Sequence, residues 1–266
     1  MTFLVSHTAA CISMLRGIFM PVEFVKKYID LMSQYKFNYF HWHLTEDQGW
    51  RIEIKKYPRL TEIGSKRSRS VKARKLHARI SATAFRSSGF YTQEQIKDVV
   101  AYAKARYITV IPEIELPGHA SAALAAYPQF GCKADYKYEV KTTWGIFKEV
   151  YCPTDETFKF LEDVLDETIK LFPDSPYIHI GGDEVLKDHW KESAFVQELK
   201  AKENLKDEHE VQSYFRPPHR KVHQLERQED DRLGRDTRGR PRAERDGDVM
   251  ARHQGRHRGG QSPSTT

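Results

Sequence analysis

Behind Pro21, the apolar residues Val25, Tyr28, Ile29 and Met32 recur at helical spacing, which predicts an amphipathic helix whose first turn tolerates the proline. The run Asn38-Tyr39-Phe40-His41-Trp42-His43 follows and reads as a strand. The unit then recurs. Ile96, Val99, Val100 and Ala103 share one helical face, and the β-branched run Ile108-Thr109-Val110-Ile111 comes next. Thr154 stands as the cap of a third helix, with Asp155 and Glu156 in its first turn and Leu161, Val164, Leu165 and Thr168 facing inward. Strand Tyr177 to Ile180 closes the series. Helix and strand in strict alternation predict an α/β fold with parallel strands and crossover helices, either doubly wound or a (β/α)8 TIM barrel. Each strand is followed by polar, chemistry-bearing residues at its C-terminal side, which favours the barrel.

The 266 residues are 39% hydrophobic and 12% aromatic, enough for a core. No run of about 18 apolar residues marks a membrane span, and the opening Met1-Thr2-Phe3-Leu4-Val5 lacks the basic start of an export signal, so localisation stays open. Net charge is +6, but it is unevenly placed. Residues 66–86 hold eight Lys/Arg and no acid, residues 216–266 hold thirteen Lys/Arg against eight acids, and the remainder is acidic by seven charges. Those two basic segments lack the interleaved aromatics that stack on bases, which argues against a nucleic-acid partner. Cys11, Cys132 and Cys152 have no metal-ligand spacing; Cys132 and Cys152 allow one disulfide or two core thiols, and the thiols are favoured.

The chemistry concentrates in Tyr177-Ile178-His179-Ile180-Gly181-Gly182-Asp183-Glu184. Glycines let the backbone turn and approach a ligand closely, and two neighbouring acids in a half-enclosed pocket can be driven to different pKa values, as acid catalysis requires. The plain alternative is a Gly-Gly turn before a helix-starting acidic pair. After the first strand stands His41-Trp42-His43-Leu44-Thr45-Glu46-Asp47-Gln48-Gly49-Trp50-Arg51, and after the second Glu113-Ile114-Glu115-Leu116-Pro117-Gly118-His119. Together the three runs resemble family-20 glycoside hydrolases, the β-N-acetylhexosaminidases, over about residues 19–65 and 88–215. The resemblance implies a (β/α)8 barrel acting on a terminal β-linked N-acetylglucosaminide or N-acetylgalactosaminide, with neither a nucleic-acid nor a membrane partner.

It also implies roles. Glu184 is expected to protonate the leaving oxygen and later deprotonate water, with its pKa raised by burial, while Asp183 holds the substrate's acetamido N–H so that the acetamido oxygen attacks the anomeric carbon. His119 and His179 are candidates to polarise these acids, against the ordinary role of a satisfied core histidine. Asp47 and Glu115 are expected to complete a carboxylate shell beneath the pocket, against simple loop capping. Trp144 and Trp190 are candidates to stack on sugar faces or to pack inside. Arg51 is expected to be structural and paired with an acid. A zinc site at His41, His43 and His119 is rejected for want of a tight ligand cluster, and no metal or organic cofactor is expected.

The chain departs from the family at its ends. The family's R-G-x-x-L-D-x-x-R-H run, whose leading arginine binds sugar hydroxyls, is expected before Phe19 and is absent. Thr8 to Ile18, read in a shifted frame with suitable codons, spells R-G-M-H-L-D-A-S-R-H-I, and Arg216 to Gly255 converts in the same way to text resembling the family's later strands. Residues 68–87 likewise convert to a string ending D-I-S-D-G-I-P. The expected organisation is therefore an aberrant segment over 1–18, a partial catalytic domain over 19–215 with a basic insert at about 66–87, and a disordered Arg-rich tail over 216–266 with no Phe, Trp or Tyr. A barrel so interrupted leaves unpaired edges. A sugar-binding remnant without turnover is the competing reading.

Overall fold

A computed structural model describes residues 19–68, 70–71, 82–83, 88–215, 222–226 and 249–253, with side chains placed over 19–68 and 88–215. The expected segment 1–18 lies outside the described residues.

Helix α1 (Val22–Gln34) starts after Pro21 and buries Val22, Val25, Ile29 and Met32, the face its spacing predicts. Strand β1 (Tyr39–His43) follows. Helix α2 (Gln93–Lys104) opens with a capping box: Thr92 Oγ1 accepts from the Gln95 N–H, and the Gln95 side chain reaches back to the Thr92 N–H. Strand β2 (Thr109–Glu113) comes next. Helix α3 (Asp155–Leu171) is capped by Thr154, which accepts from the Thr157 N–H, and it buries Leu161, Val164, Leu165 and Thr168. Strand β3 (Tyr177–His179) completes the third unit.

Strand β2 pairs in parallel with β1 and with β3, placing His43, Glu113 and His179 in one row across the sheet. Successive side chains on a strand point to opposite faces, so two different surfaces arise. One is apolar: Phe40 and Trp42 stack at 5.8 Å, and Trp42 meets Phe172 edge-on at 6.4 Å. Burying each of these rings contributes roughly 2–3 kcal/mol. The other face carries His41, His43, Glu113 and His179, all buried.

Arg51 closes the base of the basic insert. Its Nη1 donates to the carbonyls of Ser65 and Gly89, each at 2.8 Å, and its Nη2 to the Gln48 carbonyl at 3.1 Å. The residue is structural as expected, but the bonds that hold it go to carbonyls where an acid was expected. Ser65 and Gly89, which flank the insert, are therefore held at one guanidinium, and Lys66 bridges to Ser88 beside it. Within the insert, Ser70–Val71 pairs with Ala82–Thr83.

The tail departs from expectation in part. Strand β4 (Val222–Glu226) and strand β5 (Val249–His253) pair antiparallel, and β5 also pairs antiparallel with β3, giving the order β1-β2-β3-β5-β4. These ten residues have regular structure although the tail lacks apolar periodicity; the backbone hydrogen bonds of β5 to β3 and of β4 to β5 require none. The rest of the tail lies outside the described residues. A (β/α)8 barrel would place a parallel strand against β3, so among the described residues the sheet is a partial barrel wall of three parallel strands.

Candidate active site

The three motif loops leave the C-terminal ends of β1, β2 and β3 and are laced together by backbone bonds. Leu44 N–H donates to Glu113 O at 3.2 Å, Ile114 N–H to His179 O at 2.9 Å, and Leu116 N–H to Ile180 O at 3.0 Å. Glu115 N–H donates to Thr45 Oγ1 at 2.8 Å. Residues far apart in sequence thus share one end of the sheet, where parallel-stranded folds carry their chemistry.

His119 joins two of the loops. Its Nδ1 lies 2.9 Å from Asp47 Oδ2 and 2.7 Å from Glu46 Oε1, and its Nε2 faces Glu184 Oε2 at 3.7 Å. Asp47 is itself fixed by the Ser121 N–H at 3.0 Å and Ser121 Oγ at 2.5 Å. Burial disfavours a charged His119, but its bonds to Asp47 and Glu46 outweigh that and push its pKa up to about 11. Glu46 is held well below the ordinary carboxylate range: burial opposes this, and the bonds from His119 and His43 prevail.

A second polar centre lies deeper. Glu113 Oε2 is 2.7 Å from His41 Nε2 and 2.6 Å from His43 Nδ1, and Glu113 Oε1 is 2.9 Å from His179 Nδ1. Burial resists both charges, yet the proximity of Glu113 raises the pKa of His43 to about 10, and the three imidazoles hold Glu113 far below its usual value. Glu115 goes the other way. Fully buried and facing the negative charge of Glu113, with Asp183 adding to the effect, it is pushed well above the ordinary range.

Asp183 and Glu184 follow two glycines in left-handed backbone, Gly181 with φ +65° and Gly182 with φ +102°. Glu184 has φ +56° and His119 φ +48°, a conformation that costs an L-residue roughly 1–2 kcal/mol. The Gly182 carbonyl accepts from Gln212 Nε2 at 2.7 Å, which ties this turn to the helix over Glu208–Tyr214.

His119 therefore faces Glu184 with Asp47 behind it, Glu115 lies near enough to Asp183 to feel its charge, and His179 faces Glu113. Two expectations need correction, for Glu184 and for the zinc reading, and the alternatives left open for Trp190 are decided. Glu184 is not buried: its side chain is 37% exposed, since no described element covers it. Trp190 takes the packing alternative, fully buried with its ring 5.5 Å from Phe215 and its Nε1 donating to Tyr151 O at 2.8 Å. The zinc argument rested on histidines that do not cluster, yet His41 and His179 stand with Glu113, and His43 with Glu113 and Glu115, at ligand-like proximity. His119 belongs to a separate group with Glu46 and Asp47. In these groups carboxylate oxygens lie close to ring nitrogens, while Glu113 Oε2 and Glu115 Oε2 are buried without hydrogen-bond geometry to a described partner.

Trp144 is 64% exposed on a loop that rests on the site, where Lys141 N–H donates to Asp47 O at 2.9 Å and Gln48 Nε2 to Thr143 O at 3.2 Å. Sequence reasoning missed Glu113, Glu46 and Gln212. The first two stand inside motifs already singled out, and alternation along β1 and β2 places Glu113 on the same face as His41 and His43. Nothing local marks Gln212. A cleft of about 310 Å³, lined by Lys104, Ile108, Thr109, Phe172 and Asp174 among others, sits at the N-terminal ends of β2 and β3 and contains no motif residue.

Residues 14–231 match the model of the glycosyl hydrolase family 20 catalytic domain. The chain is 54% identical to a beta-hexosaminidase of Porphyromonas gingivalis over 198 residues, covering 74% of this chain and 24% of that protein. It is 44% identical to a beta-hexosaminidase of Vibrio furnissii, covering 74% and 32%. A beta-N-acetylhexosaminidase crystal structure from Bacteroides fragilis superposes with a TM-score of 0.61 at 44% identity, over 75% of this chain and 36% of that one. The chain thus spans about a quarter to a third of the length of these curated relatives. On these matches, and on motif residues brought to one end of a parallel sheet, the chain belongs to glycosyl hydrolase family 20.

Proposed function

We propose that this chain carries the acid and the orienting carboxylate for hydrolysis of terminal, non-reducing β-linked N-acetylhexosamine residues, by a retaining mechanism in which the substrate's own acetamido oxygen is the nucleophile. The observation that carries the reading is the placement of His119 between Asp47 and Glu184, with Asp183 beside Glu184 at the end of β3. Matched relatives bear the name beta-hexosaminidase, and a related Vibrio harveyi exo-β-N-acetylglucosaminidase, 41% identical, was crystallised with N-acetylglucosamine.

In this reading Glu184 gives its proton to the glycosidic oxygen as the anomeric C–O bond breaks. The acetamido oxygen closes on the anomeric carbon, and the oxazolinium ion carries the positive charge. Asp183 accepts the acetamido N–H, aligning the carbonyl and stabilising that cation. Burial and the charge of Glu113 raise the pKa of Glu115 and so favour its neutral form near Asp183. Glu184, now ionised, takes a proton from water as its oxygen attacks the anomeric carbon and opens the ring. His119 positions Glu184 and is itself anchored by Asp47. No step needs a metal or organic cofactor.

Among the described residues, three parallel strands and an exposed Glu184 leave little wall around a sugar, and turnover is expected to be weak. The test is release of 4-nitrophenol from its β-N-acetylglucosaminide and β-N-acetylgalactosaminide. Slow release that disappears in Glu184→Gln, with the β-anomer of the free sugar formed first, supports the reading. Release that persists unchanged in Glu184→Gln overturns it. Retained binding of N-acetylglucosamine with no release in the parent chain favours the non-catalytic remnant.

A further inference from the structure

The turn that carries Asp183 and Glu184 is held at both of its ends by one side-chain relay. Gln212 Nε2 donates to Gly182 O at 2.7 Å, Lys187 Nζ donates to Gln212 Oε1 at 2.6 Å, and the same Nζ donates to Val185 O at 2.8 Å. Gly182 and Val185 flank the acidic pair, so the relay closes a ring around it. An ammonium group only donates and a backbone carbonyl only accepts, so the Gln212 amide satisfies both in a single orientation.

Both supports of the relay are themselves anchored. Gln212 sits on the helix over Glu208–Tyr214, whose start is capped by Asp207 accepting from the His209 and Glu210 N–H groups. Its neighbour Val211 is fully buried, and Phe215 at the helix end stacks on Trp190 with ring centroids 5.5 Å apart. On the other side Val185 is buried, and a β-carbon built on Gly118 would fall 3.2 Å from Val185 Cγ2. Gly118 precedes His119, whose Nε2 faces Glu184. The turn needs such bracing: Gly181, Gly182 and Glu184 all have positive φ, and a non-glycine residue keeps that conformation only where its surroundings impose it.

We propose that Lys187 and Gln212 are positioning residues, a clamp on the Gly182 and Val185 carbonyls that sets the Glu184 carboxyl at the glycosidic oxygen and Asp183 at the acetamido N–H. The inference rests on the catalytic reading above and adds two residues that act through the backbone of the turn. Glu184 is 37% exposed, so the place of its carboxyl depends on that backbone and on His119 more than on packing. Bonds from an ammonium are stronger than those between neutral groups, which suits Lys187 to closing the ring. Proton transfer is steep in distance: a displacement of about 1 Å costs on the order of a hundredfold in rate.

The test measures kcat/KM of the full chain, Gln212→Leu, Lys187→Met and the double variant on phenyl and 2,4-dinitrophenyl β-N-acetylglucosaminides. Dinitrophenolate leaves without a proton, whereas phenolate needs one from Glu184. Each single variant is expected to lose about tenfold or more on the phenyl glycoside, with a loss at least about threefold smaller on the dinitrophenyl one. The double variant should lose no more than the worse single, because either change opens the same ring. Gln212→Glu still accepts from Lys187 but lacks the donor to Gly182 O, and it replaces Gln212→Leu if that variant shows no cooperative urea unfolding. Losses equal on the two glycosides, or losses that multiply in the double variant, overturn the clamp. If the parent releases neither aglycone, calorimetry with the thiazoline analogue of the oxazolinium ion is read instead. Binding about threefold or more weaker in the variants then supports the clamp, and equal binding overturns it. A parent that neither releases aglycone nor binds the thiazoline fails the catalytic reading itself, and the clamp with it.

Discussion

Oε2 of Glu115 occupies the space that a side chain on Gly181 would need: a β-carbon built on that glycine falls 1.6 Å from it. The glycine also has φ +65°. Gly181→Ala therefore meets both backbone strain and a buried carboxyl group packed among other buried groups. We expect a loss of at least ~2 kcal/mol of stability, read from urea unfolding with an unchanged m-value. A variant as stable as the parent would show that Glu115 does not hold this position.

Glu115 and His43 set the pH dependence. Glu115 is neutral in the folded chain above pH 4.5, where it ionises in the unfolded chain, so the unfolded state binds fewer protons and stability falls as pH rises from 4.5 toward the raised folded value. Glu115→Gln lacks this effect. Its stability relative to the parent should therefore improve progressively above pH 4.5, measured as urea midpoints between pH 4 and 8.

His43 acts over a higher window. Its folded pKa is raised from 6.5 to about 10, so its contribution is complete below pH 6.5 and is lost as pH climbs through about 10. Glu113, held low, contributes above pH 4.5 and loses its contribution in acid. Replacing His43 with Asn should remove a few kcal/mol at pH 6 and less at pH 9.5. Equal losses at the two pH values would rule out a charged His43.

Arg51→Lys should not be conservative. A single ammonium cannot replace the planar fork that reaches Ser65 O, Gly89 O and Gln48 O. About 2 kcal/mol of stability should be lost, with faster proteolysis between residues 66 and 88 as the local signature. Unchanged unfolding and unchanged cleavage in that segment would remove Arg51 as the clamp.

Asp47→Asn tests positioning through His119. It replaces an anchoring carboxylate by an amide and weakens the support for an imidazolium beside Glu184. On the proposed reading kcat should fall about tenfold or more with KM little changed, and the pH profile of kcat should shift. Asp47→Glu should recover part of the loss. A change in KM alone would assign Asp47 to structure only.

Much of the scaffold was readable in particular residues. Val25, Ile29 and Met32 marked the buried side of α1, Thr154 marked the start of α3, and the histidine- and glutamate-bearing strand ends marked the site. Those signals are local, since helical spacing, capping and strand alternation each act within a few residues. The choice between stacking and packing for Trp190, the exposure of Glu184 and the clasp of Gln212 on Gly182 were not readable, because each depends on which distant segment covers the residue.

By itself the sequence determined that helices and strands alternate, that three strands end in acids and histidines, and that one strand ends in Gly-Gly-Asp-Glu. Tertiary structure alone decided that His43, Glu113 and His179 form one row, and that the pKa of Glu115 is driven up while that of Glu113 is driven down. It also decided that His119 stands between Asp47 and Glu184. The reason is electrostatic and geometric. A carboxyl group's protonation follows the charges and solvent around it, and in a parallel sheet those neighbours come from strands tens of residues apart.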